Sequence, residues 1–173
     1  MDILAIALTY VLMRGSHNVI SGTNASLEKA LAKRETYGSD FIWFSDRSKE
    51  YVIRDSATVE RIDRLFDAQR AFDPEAERIA RELRPLERRE SELDHEIDAL
   101  TDRDEGPELT AAEEQKLDDL RREMGALHPK MRVLERQEEE IDRKRDAAEA
   151  EAERRMVPIL EQAVRSGVAR PVD

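Results

Sequence analysis

Two spacings of apolar residues divide this chain. Up to Phe72 they come in short, dense β-branched and aromatic runs; from Asp73 they recur every three or four positions among charged residues. Leu4 to Met13 reads as a strand, Arg14-Gly15-Ser16-His17-Asn18 as a turn, and Val19 to Ser21 as a short return strand closed by Gly22. Thr23 or Asn24 caps a helix running to about Thr36, with Leu27, Ala30 and Leu31 on one face and Gly38 ending it. A second hairpin follows: Asp40 to Phe44, a turn over Ser45 to Lys49, then Glu50 to Arg54. Asp55 or Ser56 caps a second helix carrying Val59, Ile62, Phe66 and Phe72. The order ββαββα predicts a small α+β head over residues 1–72, four strands with two helices on one face. Both alternating faces of Phe41–Phe44 are apolar, so each side of the sheet needs cover.

After the head the period changes. Asp73-Pro74 is a helix start, with Pro at a first-turn position that needs no donor. Ile79, Leu83, Leu86, Leu93, Ile97 and Leu100 then fall at heptad spacing, with Glu90 in the one vacant slot. Thr101 to Leu109 contains Gly106-Pro107 and interrupts the pattern. It resumes at Leu117, Leu120, Met124, Leu127, Met131, Leu134 and Ile141, passing His128-Pro129 without a phase slip, which predicts a continuous helix with a kink. Arg145 and Ala148 weaken the seam before Met156, Ile159, Leu160 and Ala163; Ser166-Gly167 stops the helix.

A short break between two heptad arms predicts a long antiparallel coiled-coil helical hairpin over 73–166, tip near 101–109, followed by a tail at 167–173. An arm of this length measures about 40 Å at 1.5 Å per residue. Centring the turn near Glu105 sets Leu93 against Leu117 and Glu90 against Leu120, with Arg121 and Arg122 beside it. The helix past Arg136 then overshoots the hairpin and lies along the head.

Charge follows the same division. The aromatic residues all precede Asp73, where ten Lys/Arg balance ten Asp/Glu; the remainder has nineteen against thirty and so carries the whole net charge of −11. That balance argues against wrapping nucleic acid, which needs clustered cations to displace counterions from phosphate. It also argues against anionic membrane surfaces. With no cysteine there is no disulfide and no thiolate metal site. The apolar run Ile3–Met13 is too short to span a bilayer and lacks the basic start of a signal peptide, so no membrane insertion is expected from this chain.

Candidate chemistry is sparse. His17, His95 and His128 share no helical face and no HExxH spacing, and Glu138-Glu139-Glu140 reads as a solvated helix face. No phosphate-binding glycine loop or nucleophile elbow is present, so no catalytic residue, metal or cofactor is expected and the chain reads as a non-enzyme. Trp43 reads as core. Two features remain. The hairpin tip carries Asp102, Asp104 and Glu105, carboxylates that a slender hairpin can deliver to another protein, and Glu90 interrupts the seam where a polar residue fixes register or oligomer state.

Three stretches carry a family resemblance: Tyr10-Val11-Leu12 with Gly15 and Ser21-Gly22; Tyr37-Gly38, Asp40-Phe41, Trp43-Phe44 and Lys49 to Asp55; and Ile159-Leu160, Ala163, Ser166-Gly167 with Ala169-Arg170-Pro171-Val172. Together they resemble the extracytoplasmic C-terminal region of bacterial membrane metallopeptidases of the antirepressor, beta-lactam-sensor type, in which such a module precedes a Glu/Arg/Gln-rich helical stretch. About half the chain is covered, and the zinc-binding HExxH is missing, so no peptidase role passes to any residue. The resemblance implies a sensor-like accessory module of the bacterial envelope that binds a protein partner or a second copy of itself. A cytoplasmic location is expected instead if the chain is complete as given. A different reading takes the acidic tip as the working part, as in Gre-type transcript-cleavage factors, whose coiled coil comes first in the chain rather than last; it predicts a transcription-machinery accessory factor.

Overall fold

A computed structural model describes residues 9–15, 17–46, 49–101 and 109–172. The chain divides into two compact units: one runs to Arg70 and includes Ala147 onward, the other is Ala71–Asp146. The first is α+β, built on a five-stranded antiparallel sheet of β1 (Thr9–Arg14), β2 (His17–Ser21), β3 (Asp40–Asp46), β4 (Lys49–Ile53) and β5 (Ala169–Pro171) in the order β2-β1-β3-β4-β5. The strand expected from Leu4 begins at Thr9 within the described residues.

Alternation along the strands sorts the side chains into two cores, because successive residues point to opposite faces. Tyr10 and Leu12 of β1, Ile42 and Phe44 of β3, and Ile53 of β4 face one way. Val11, Met13, Phe41, Trp43 and Val52 face the other. Register brings like partners together across strands: Tyr10 pairs with Phe44, Leu12 with Ile42, and Phe44 with Tyr51, whose rings stack at 5.3 Å. Trp43, 2% exposed, is a core residue as its position suggested.

The two head helices, expected on one face of the sheet, lie on opposite faces. The first core lies under α2 (Ser56–Asp63), a 3-10 turn at Arg64–Phe66, and the end of α5 (Ala111–Ser166). The second lies under α1 (Asn24–Tyr37) and Val172. Each sheet face is thereby covered, which the doubly apolar strands require. On α1, Ala30 is buried while Leu31 is exposed, contrary to the expected apolar stripe. Ionic contacts accompany this packing: Lys29 and Lys33 lie 3.0 and 3.9 Å from Glu50 on β4.

Helix ends follow local chemistry. Asp55 accepts from the Thr58 amide at 2.9 Å and starts α2. A one-turn α3 (Asp67–Arg70) leads out of the sheet unit. Gly167, at φ 76°, ends α5 and turns the chain back to β4. The segment 167–173, taken as a tail, thus supplies a fifth strand: Ala169, Arg170 and Pro171 pair with Ile53, Val52 and Tyr51.

The second unit consists of α4 (Asp73–Thr101) and the part of α5 up to Asp146. α5 runs unbroken through Pro129, and α4 through Pro85. The seam positions are the ones removed from water. Leu93, Leu120, Leu127 and Met131 form one cluster, with Leu86, Ile97, Leu100 and Met124 half-buried against it, and Ile79, Leu83, Leu117 and Ile141 are buried as well.

Candidate functional site

The acidic tip residues Asp102, Asp104 and Glu105 lie outside the described residues. What borders them is defined. α4 closes at Thr101, and α5 opens on a reciprocal box: Thr110 donates through its amide and hydroxyl to Glu113 Oε2 at 2.8 and 2.9 Å, and the Glu113 amide donates back to Thr110 Oγ1 at 3.3 Å. Thr110-Ala111-Ala112-Glu113 has the spacing of a capping box, a signal present in the sequence itself.

Polar side chains cross-link α4 and α5 along the seam. Arg89 binds Glu123 bidentately, Nε to Oε1 at 2.7 Å and Nη2 to Oε2 at 2.9 Å. Lys116 reaches Glu96 at 3.3 Å, and Arg145 reaches Asp73 at 3.2 Å. Glu90 does not meet Arg121 or Arg122. His128 Nε2 donates to Glu90 Oε1 at 3.0 Å, and Arg122 is engaged by Asp119 on its own helix at 2.8 Å. These α5 partners sit two to eight positions later than a turn centred near Glu105 predicts, which moves His128 into reach.

Glu90 and His128 are both partly exposed, so their bond contributes on the order of a surface pair, about 0–1 kcal/mol. An apolar side chain in that slot gains burial and removes a register marker. Glu90→Leu is therefore expected to raise the thermal midpoint by a few degrees (roughly 1 kcal/mol) and to promote dimers in light scattering. A lower midpoint with an unchanged association state would show that the His128 bond outweighs burial.

The sheet unit has its own polar contacts, none of them legible as a motif. Asp63, 9% exposed, accepts from Arg14 Nη1 and Arg70 Nη1, each at 2.7 Å, while Arg70 Nη2 donates to the Asp63 carbonyl at 2.8 Å. The Tyr10 hydroxyl donates to Glu153 Oε1 at 3.2 Å; burial pushes its pKa up, and the neighbouring carboxylate pushes the same way. These bonds tie β1 to α2 and to α5.

Glu50 is the third hub, accepting from Lys29 Nζ at 3.0 Å and Trp43 Nε1 at 3.1 Å. The Lys29 hydrogen bond, reinforced by Trp43, holds its pKa below the ordinary 4.5. A folded value below the unfolded one means that the stabilisation is complete above about pH 4.5 and is lost as the pH falls through the folded value. Melts recorded on descending pH should lose stability in that acid window, and Glu50→Gln should flatten the loss. An identical acid slope in Glu50→Gln would remove Glu50 as the cause.

Among the described residues no group of three or more His, Asp or Glu is placed to hold a metal ion, and no helix is long and apolar enough to cross a membrane. What the described side chains offer is surfaces: a cross-linked acidic helix pair, and a sheet unit closed on both faces. No family model, curated protein or solved structure matches this chain.

Proposed function

We propose that the chain is a non-enzymatic protein–protein interaction module, a sensor-like accessory of the bacterial envelope. In this reading α4 and the first part of α5 form an antiparallel coiled-coil hairpin that presents its tip to a partner. One observation carries the envelope assignment. The last of the three stretches that bear the family resemblance is separated from the first two by the whole of 71–146, yet all three lie in one unit, in β1 to β5 and the end of α5. Residues scattered over the chain that converge on one fold unit are what a shared module would leave behind.

Support for the interaction role comes from the second unit. It holds fifteen Lys/Arg against twenty-five Asp/Glu, so it carries nearly all the net charge of −11. Its apolar residues are spent on the seam between two helices. A helix pair of that kind offers long charged faces, and charged faces steer and select protein partners more than they add affinity.

The test replaces residues 102–108 with a Gly/Ser linker of equal length and compares cross-linked partners from bacterial cells. The proposal expects an unchanged circular dichroism spectrum and loss of a specific envelope protein from the captured set. Unchanged capture would sink the tip's role, and tip-dependent recovery of RNA polymerase subunits would favour the transcription reading over the envelope one.

A further inference from the structure

The sheet unit contains a basic cleft that sets it apart from the acidic remainder of the chain. Its volume is about 640 Å³, and it opens between α2 with the following 3-10 turn and the last turns of α5. Four arginines line it, Arg61, Arg64, Arg154 and Arg155, against a single carboxylate, Glu60. Two of the four are already engaged: Arg64 pairs with Glu60, and Arg154 with Glu151 at 2.6 Å. Arg61 and Arg155 have no carboxylate within ion-pair distance among the described residues. The apolar part of the lining is Ala57, Leu65, Pro158 and Ile159.

We propose that this cleft docks an acidic peptide segment of a partner protein, with carboxylates on Arg61 and Arg155 and an aliphatic side chain laid on Leu65, Pro158 and Ile159. Guanidinium forks match carboxylates bidentately, and they are less strongly hydrated than ammonium groups, which lowers the cost of pairing at a half-open surface. Two features favour a peptide over a compact phosphate. The free arginines come from two different helices and flank an apolar floor, which suits charges and side chains distributed along a backbone. At the N-terminus of α2 the Thr58 amide and hydroxyl already bind the Asp55 carboxylate, which competes with any added anion there. This site lies on the sheet unit and stands or falls separately from the hairpin tip.

The probe is a short fluorescein-labelled peptide with glutamate at alternate positions and leucine between, titrated with the full chain by anisotropy. Binding is expected to weaken with added salt, as screened charge pairs do. Arg61→Glu with Arg155→Glu should lower affinity at least about tenfold, the loss of one or two charge-assisted bonds. Arg61→Gln with Arg155→Gln should fall in between. Arg132→Glu with Arg136→Glu, the same charge change on exposed positions of α5 outside the cleft, should bind like the parent. Thermal melts of all variants should coincide, since every substituted side chain is exposed. Equal binding by the cleft variants, or no binding by the parent, overturns the proposal. So does tighter binding of tripolyphosphate than of the peptide, or self-association of the parent that the cleft variants abolish, which would make a second copy the occupant.

Discussion

Deleting residues 147–173 should cause the protein to aggregate. The segment supplies Ala152, Met156, Ile159, Leu160, Ala163 and Ala169, six of the fourteen buried residues on one face of the sheet. It also removes β5 and leaves β4 as an exposed edge. Truncating a single buried Met, Leu or Ile costs about 2–5 kcal/mol, so losing three large side chains matches the whole stability of an ordinary domain, about 5–15 kcal/mol. The bared face would carry Tyr10, Leu12, Ile42, Phe44 and Ile53. Size-exclusion chromatography and an amide NMR spectrum check this outcome; a monomeric, well-dispersed product would mean that the α5 end is not part of the core.

The second large effect is expected in the helix pair. Leu93 is fully buried, and Leu93→Ala should destabilise by about 2–4 kcal/mol through lost transfer energy and the cavity left behind. Glu92, one position away, points to solvent and binds Arg89 at 3.2 Å on its own helix; Glu92→Ala should cost under about 0.5 kcal/mol. Urea melts of the two variants measure the contrast. Similar losses would place the seam elsewhere on α4.

What the sequence made legible were the periodic features. Strand alternation in Tyr10–Met13 and Phe41–Phe44 marked both faces of the sheet for burial, and helical spacing picked out apolar residues between Ile79 and Ile141 that are withdrawn from water. What stayed hidden depended on contacts distant in sequence. Ala169-Arg170-Pro171 is three residues long and contains a proline, so nothing local distinguishes β5 from a tail. Doubly apolar strands demand cover on both faces but do not say which helix supplies it, which is why α1 and α2 were placed together. The stripe on α1 misled because the helix turns Ala30 and Tyr37 to the sheet and leaves Leu31 in solvent, with Lys29 and Lys33 beside Glu50. The partner of Glu90 turned on a shift of about two helical turns in pairing, enough to exchange Arg121 for His128.

If the sheet unit is complete without the helix pair, residues 71–146 are free to serve a partner. Gln69 Nε2 donates to Glu149 Oε2 at 2.8 Å, so the two ends of the sheet unit's chain lie side by side where that segment departs and returns. Excising 71–146 and joining Arg70 to Ala147 through a short Gly/Ser linker tests this directly. The account predicts a soluble monomer with a dispersed amide spectrum and a single cooperative melt. An aggregated or unstructured product would contradict it, since the helix pair would then be holding the sheet together.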